Sequence, residues 1–529
     1  MLSFNANFKN DSMCSAVAFV ASIEQLSNPN SAQSTNLSIF RDSVSILLAY
    51  LNWHSQRHPP LNEGTFFRAA WVCGTIRSMT TSVLDLIGNT PILQLTRFDT
   101  AGCEIYVKLE NQNPTGSIKD RIALGMIEAA ERSGALMPGG TIIEATSGNT
   151  GLGLALVAAL KGYKLLLVIP DKMSQEKVRT VRALGAEVII TRSDVGRGHP
   201  AYYQDIAERI AAETPGSFYA NQFANRANPD AHEATTGPEM WEQMGHRIDA
   251  VVCGVGSGGT MTGLSRFFAK VSPQTEMVLA DPKGSILDHY IKTGELLKES
   301  GSWLIEGMGE DFIPPVSDLS RVKKSYSVGD AESFEFAREL FRREGILAGT
   351  SAGLLLAAAL RYCREQTTPK RVITFICDTG NRYITKMFDD TWMRDQGLIA
   401  GEHYGDLRDL ITNKVSISVE PSDTLLIAYT RMRAHGVSQL PVLIGTELIG
   451  IIDEWDLLSA ASPDKAQFSR NVQDFMSTQL ETLHPSADPS ALVPLLERNM
   501  VPIVVHEGRF IGLITKIDYL NYLRRKNDD

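Results

Sequence analysis

The sequence predicts an α/β chain, with βαβ units around a buried, mainly parallel sheet, followed by a pair of small repeated modules. Two observations carry this reading. From Thr80 to about Gly401, short β-branched runs alternate with Ala/Leu-rich helical stretches, the pattern of parallel strands joined by crossover helices. The runs are Thr141–Ala145, Leu165–Ile169, Val188–Thr191, Ala250–Cys253 and Val372–Cys377. Beyond Gly401 one motif occurs twice. Val437-Ser-Gln-Leu-Pro-Val-Leu, then Leu448-Ile-Gly-Ile-Ile-Asp-Glu-Trp-Asp-Leu-Leu, returns as Asn499-Met-Val-Pro-Ile-Val-Val, then Phe510-Ile-Gly-Leu-Ile-Thr-Lys-Ile-Asp-Tyr-Leu. The copies lie about 62 residues apart, longer than solenoid periods, so they read as two globular modules. Each is expected to hold a helix, a strand following a Pro, a turn, and a second strand running into a helix.

Composition removes several function classes. The chain has 529 residues, enough for roughly three or four domains, and a net charge of −10. With no dense Lys/Arg stretch, nucleic acid is not an expected partner. The apolar runs Gly153–Leu160 and Gly353–Leu360 fall far short of the roughly 20 residues of a membrane helix, so no membrane partner is expected. The six cysteines, Cys14, Cys73, Cys103, Cys253, Cys363 and Cys377, include no CxxC pair. No metal site is expected from them, and their scatter reads as a cytoplasmic chain with reduced thiols. Ser15–Ala21 imitates a short signal-peptide core, but a clear cleavage box is missing.

Four local motifs in the α/β region make chemical sense together. Asn113-Pro-Thr-Gly-Ser-Ile-Lys119 stands where a loop enters a helix. A lysine there is ordinarily a solvated helix residue. Gly254-Val-Gly-Ser-Gly-Gly-Thr260 follows the strand Asp249–Cys253; its glycines let backbone N–H groups turn toward an anion, and the following helix adds its positive end. Thr146-Ser-Gly-Asn149-Thr-Gly151 also follows a strand and opens a helix, offering hydroxyls for a carboxylate, although helix capping uses the same residue types. Gly349-Thr-Ser351-Ala-Gly353 opens another apolar helix. Gly254, Gly256 and Gly259 also meet the dinucleotide GxGxxG spacing, with Asp281 at the end of the next apolar run. A dinucleotide would leave Lys119 and the hydroxyl-rich loops unused, and Gly259-Thr260 lacks the lysine of a Walker loop. A phosphate carried by another cofactor remains.

In this order the four motifs resemble those of the fold-type II pyridoxal-phosphate enzymes, and within them the β-replacement family of cystathionine β-synthase and cysteine synthase. The likeness runs from about Thr81 to Gly397. It includes Ile87-Gly-Asn-Thr-Pro-Ile, Pro170-Asp-Lys-Met-Ser-Gln-Glu-Lys and Arg182-Ala-Leu-Gly-Ala-Glu. The resemblance implies two three-layer α/β/α subdomains and pyridoxal 5′-phosphate as cofactor. It implies that Lys119 holds the cofactor as a Schiff base and acts as the base at Cα. Gly256, Ser257, Gly258, Gly259 and Thr260 would bind its phosphate, Asn149 its 3′-oxygen, and Ser351 would face the ring nitrogen. Thr146, Ser147, Thr150 and Gln222 would hold the substrate carboxylate. A hydroxyl at Ser351, unlike a carboxylate, does not stabilise a protonated ring, which favours prompt loss of a β-substituent.

Two reactions within the family compete. Ala280-Asp-Pro-Lys-Gly-Ser285, Ile305-Glu-Gly-Met-Gly and Pro170-Asp-Lys-Met-Ser resemble enzymes that join L-serine and L-homocysteine into cystathionine, a step of transsulfuration. Thr235-Thr-Gly-Pro-Glu-Met-Trp241 looks more like those that make cysteine from O-acetylserine and sulfide. Phe223, Glu233, Lys283 and Glu310 depart from the family pattern and bear on the leaving group and the thiol. The C-terminal repeat resembles a tandem of CBS-type (Bateman) modules, which favours the first reaction and implies an adenosyl ligand such as S-adenosylmethionine. Its second copy keeps Thr515 and Asp518 for such a ligand, whereas the first has Asp453 and Asp456; a structural or dimerising role is the alternative. A chain that is chiefly a regulatory binding protein with a vestigial catalytic core is the reading from another class. A homodimer or higher homo-oligomer is implied by resemblance alone.

The expected organisation is an unassigned extension over 1–78, a catalytic region over 79–400, and the two modules over 405–462 and 468–527. The family likeness starts near Met79, whose Met-Thr-Thr-Ser-Val-Leu-Asp resembles a family start. Residues 1–78 are therefore expected to be an upstream addition outside the native protein, with a flexible or targeting extension as the alternative. Cys73, His54 and His58 lie there without a haem-ligand pattern, so haem is not expected.

Overall fold

The computed structural model describes residues 80–528 except 147, 172–174, 197, 298, 400–403, 412–416 and 462–467. Residues from Ser82 onward form one compact unit. Its strands run in chain order as β1 (Ile92–Leu95), β2 (Glu104–Lys108), β3 (Thr141–Ala145), β4 (Lys164–Pro170), β5 (Glu187–Thr191), β6 (Ser217–Tyr219), β7 (Ala250–Cys253), β8 (Glu276–Pro282), β9 (Val322–Val328) and β10 (Arg371–Phe375). The helices that matter for the site are α1 (Lys119–Ser133), α2 (Asn149–Lys161), α3 (Tyr203–Glu213), α4 (Gly259–Val271) and α5 (Thr350–Arg364).

The strands divide into two sheets. A four-stranded sheet, ordered β5-β4-β3-β6, is parallel throughout. The two-residue period of a strand puts successive side chains on opposite faces. Accordingly, Ile142, Leu165, Leu167 and Ile169 join Ile122, Met126 and Leu154 from α1 and α2. Ile143, Ala145 and Val168 instead join Ala207 of α3. This sheet is thus the middle of three layers. The six-stranded sheet, ordered β1-β2-β10-β7-β8-β9, is parallel except for β1 against β2. The nearly continuous burial of Val251, Val252, Val278, Leu279, Ile373 and Phe375 is what a sheet covered on both faces requires. β10 stops at Phe375, two residues before the expected end, because the backbone of Cys377 turns away to accept a hydrogen bond from Ile118 N–H at 2.8 Å.

The C-terminal repeat contributes β11 (Gln439–Ile444), β12 (Glu447–Asp453), β13 (Thr482–Leu483), β14 (Ile503–His506) and β15 (Arg509–Leu513). They form one sheet, ordered β11-β12-β15-β14-β13, whose two halves are joined where Glu447 pairs with Arg509 and Phe510 N–H donates to Thr446 O at 2.9 Å. Each half keeps its own core. Leu440, Val442 and Ile452 belong to the first, and Val504 and Ile514 to the second. The expectation of a strand following a Pro holds in the second copy and needs correction in the first. Pro502 does precede β14, but Pro441 lies inside β11, opposite Ile451. It is tolerated because β11 is an edge strand of the sheet, and the Pro441 carbonyl still accepts from Val419 N–H at 3.1 Å.

Candidate active site

In parallel sheets the loops beyond the carboxyl ends of the strands gather ligand-binding groups, and several of the predicted residues lie on such loops or in the first turns of helices here. Thr146 follows β3, Gly254–Gly258 follow β7, and Cys377 and Asp378 follow β10. The turn before Lys119 is pinned to that last loop: Ile118 N–H donates to Cys377 O at 2.8 Å, and Thr379 N–H to Gly116 O at 3.0 Å. Asp120, in the first turn of α1, accepts from Thr115 N–H at 2.7 Å. Lys119 therefore begins a helix whose entry is fixed from both sides.

One cavity of about 680 Å³ is lined by Lys119, Thr146, Asn149, Thr150, Gln222, Gly256, Ser257, Gly258, Gly259, Thr260 and Ser351, a size usual for small-molecule sites. Ser147 lies outside the described residues, as do Cys73, His54 and His58. Among the described residues the Lys119 ammonium has no hydrogen-bonding or ion-pair partner, which leaves it available to the cavity. The Thr150 hydroxyl donates to Gln222 Oε1 at 2.8 Å. Asn149 is held at both ends, donating to Asp378 Oδ2 at 2.8 Å and accepting from Arg382.

The glycine turn cannot carry side chains. A Cβ on Gly256 would lie 2.5 Å from Gly307 O, and Gly258 sits at φ +87°. The free amides opening α4 consequently border the cavity, where a phosphate can approach backbone directly. The turn is locked from behind. Asn228 donates both to Ser257 Oγ at 2.9 Å and to Gln222 O at 2.7 Å, coupling the anion turn to the substrate-side loop. His232 opens a single π-helical turn, His232–Thr236, and its ring bonds Thr236 Oγ1 at 2.9 Å and Thr260 Oγ1 at 3.1 Å. Burial, and then the Arg121 and Lys119 charges, hold its pKa well below the ordinary imidazole value, so the ring is neutral.

Asn228, His232, Asp378 and Arg382 belong to none of the motifs that the sequence singles out, and the motif that contains Lys177 names no partner for it. Lys177 forms an ion pair with Glu306, which also takes Lys386 at 2.7 Å. Burial pushes the Glu306 carboxyl up, but the two lysines prevail and leave it below its usual range. Local signals existed for some of these. Asp378 is an acid just past an apolar strand, and His232 and Thr236 have the i, i+4 spacing of neighbours on a helix. No spacing announces that Asn228 reaches Ser257 across 29 positions.

At the C-terminal pair, Thr515 N–H and Oγ1 both donate to Asp518 Oδ2, at 2.7 and 2.6 Å. Asp453 and Asp456 cap each other's N–H groups at 3.0 and 2.8 Å. Burial, with the Asp453 charge beside it, raises the Asp456 pKa. Both pairs thus open helices, α7 (Glu454–Ala461) and α8 (Lys516–Asp528) if the intervening repeat helix Leu425–His435 is counted as α6.

An anion turn at a helix start, an unpaired lysine and a hydroxyl-lined loop around one cavity together fit pyridoxal phosphate. The chain belongs to the pyridoxal-phosphate dependent enzymes, whose family description matches residues 83–378. Two CBS domains match at 407–463 and 472–525. Among individual proteins, the chain is similar to cystathionine beta-synthase of Oryctolagus cuniculus, at 35% identity over 84% of this chain and 85% of that one. It is also similar to cysteine synthase 1 of Neurospora crassa, at 40% identity over 59% of this chain and 84% of the other. A solved hydrogen sulfide-producing enzyme from Fusobacterium nucleatum superposes with a TM-score of 0.54 at 39% identity, covering 58% of this chain and all of that one. No helix among the described residues is long and apolar enough to cross a membrane.

Proposed function

We propose that this chain catalyses a β-replacement, condensing L-serine with L-homocysteine to L-cystathionine and water. The observation that carries the reading is that Lys119, the Gly256–Thr260 turn and the Thr146–Thr150 loop border the same cavity. Lys119, Asn149, Ser351 and the amides of Gly256, Ser257, Gly258, Gly259 and Thr260 are the groups that would hold pyridoxal 5′-phosphate. When bound, that cofactor supplies an electron sink that makes the Cα–H of an amino acid acidic. Lys119 Nζ takes the Cα proton and later returns it. Thr146, Thr150 and Gln222 orient the substrate carboxylate. Phe223, which lines the cavity and packs on Phe312 with ring centroids 5.7 Å apart, helps to exclude water.

The C-terminal pair supports the serine and homocysteine reading, since the likeness to the rabbit synthase extends well beyond the catalytic part. Identity to the Neurospora enzyme favours the second reading, cysteine from O-acetylserine and sulfide. Thr515 and Asp518 take S-adenosylmethionine, and the enzyme works as a cytoplasmic homodimer or higher homo-oligomer. Product analysis with serine or O-acetylserine, each offered homocysteine or sulfide, tests the reading. Cystathionine from serine and homocysteine is expected; turnover of O-acetylserine and sulfide alone overturns it.

A further inference from the structure

We infer that Glu310 is a catalytic acid–base of the β-replacement, protonating the hydroxyl that leaves serine and taking its next proton from the incoming thiol. The inference rests on the reading above and extends it to the group that Lys119 does not serve. Glu310 lines the same cavity as Lys119. Its backbone is fixed: Glu310 N–H donates to Ser285 Oγ at 3.1 Å, and Ile286 N–H donates to Glu310 O at 3.1 Å. Its carboxyl, by contrast, has no hydrogen-bonding or ion-pair partner among the described residues. The other acids lining the cavity are differently placed, because Glu306 is taken by Lys177 and Lys386, and Asp311 is exposed to solvent.

The groups facing Glu310 are Lys119 at the start of α1, Asp281 in β8, the adjacent Asp311, and Tyr203 at the start of α3. Burial, then Asp311 and Asp281, raise its pKa well above the ordinary carboxyl value, against the opposing charge of Lys119. A carboxyl whose burial favours its protonated form is placed to donate that proton.

The proton balance closes within the site. Lys119 Nζ removes the Cα proton, the Cβ–O bond breaks with its electron pair passing to oxygen, and the Glu310 proton completes a water molecule. The Glu310 carboxylate then takes the S–H proton as the C–S bond forms, since a free thiol is mostly protonated at neutral pH, with a pKa of about 8.5. Lys119 returns its proton to Cα. Both residues end as they began, and no further reactant is needed. Acetate leaves without a proton, so O-acetylserine does not need Glu310 at the first step.

The test compares wild-type holoenzyme with Glu310→Gln and Glu310→Asp. Gln is expected to lower kcat for serine plus homocysteine by about 10²-fold or more, the usual scale for a lost acid–base group. O-acetylserine plus sulfide should change far less, serine affinity should be nearly unchanged, and Asp should restore part of the loss. In protein stripped of cofactor, the infrared difference between wild type and Glu310→Gln at neutral pH should contain a protonated-carboxyl band. Full serine turnover by Glu310→Gln, equal loss with both amino-acid substrates, or absence of that band overturns the role of Glu310 and leaves the function standing. Wild type that makes no cystathionine overturns both.

Discussion

Glu144, the fourth residue of β3, is a fully buried carboxyl two positions before Thr146. Its Oε1 accepts from Gln222 N–H at 3.4 Å, while Oε2 is buried with no hydrogen-bond partner among the described residues. Burial pushes its pKa up to about 8 from an ordinary 4.5, against the hydrogen bonds from the Gln222 and Asn221 backbone. The folded protein therefore keeps a proton that the unfolded chain releases, and folding stability falls as pH rises between about 4.5 and 8. Glu144→Gln, neutral at every pH, should flatten that part of the profile of thermal midpoint against pH; identical slopes for variant and wild type would contradict the assignment. Glu144 also shows what single residues disclose in a sequence. Lys119 stood out because three other motifs gave its position a chemistry. Glu144 sits in a strand whose pattern reads only as buried, and its partner Gln222 is 78 positions away. Residues whose role is to hold another residue lack a local signature when the contact is made only by the fold.

At the scale of elements, strand-to-helix junctions were the legible feature. Glycine-rich and hydroxyl-rich turns after apolar runs mark where backbone must come close to a ligand, and Gly254–Thr260 occupies such a junction between β7 and α4. A methyl group at Gly256 would press on Gly307 O, an overpacking strain of about 1–3 kcal/mol. Gly256→Ala should accordingly weaken pyridoxal phosphate binding by roughly 10- to 100-fold in a fluorescence titration; unchanged affinity would remove the turn from the phosphate site. The ends of elements were less legible. Val372–Cys377 reads as one apolar run, yet the strand ends at Phe375 because pairing with the Lys119 loop takes over. Pro441 reads as a strand start, yet it lies within an edge strand. In both cases a tertiary partner decides what the pattern leaves open.

Across the whole molecule, the internal repeat was visible because both copies retain the same strand, turn and helix order. Invisible in it was the exchange of parts around them. Leu407, Leu410 and Ile411, at the very start of the first copy, pack with Leu492, Val504 and Ile514 of the second. Arg524, in α8, donates to Asp395 O at 3.2 Å and so reaches back to the catalytic region. If the second copy holds an adenosyl ligand at Thr515 and Asp518, calorimetry of the full chain with S-adenosylmethionine should show binding. Asp518→Ala should weaken it by about 10- to 100-fold, the worth of a hydrogen bond to a charged group. Binding that survives this change would leave Asp518 as a helix cap only.

Everything above turns on the cavity around Lys119 joining serine to homocysteine. The most direct measurement is the rate of cystathionine formation from L-serine and L-homocysteine by the cofactor-loaded wild-type chain and by Lys119→Ala. Steady production by wild type is expected, with a fall of at least about 10³-fold in the variant and its folded state retained. Cystathionine formed equally fast without Lys119, or not formed by the wild-type chain, would contradict it.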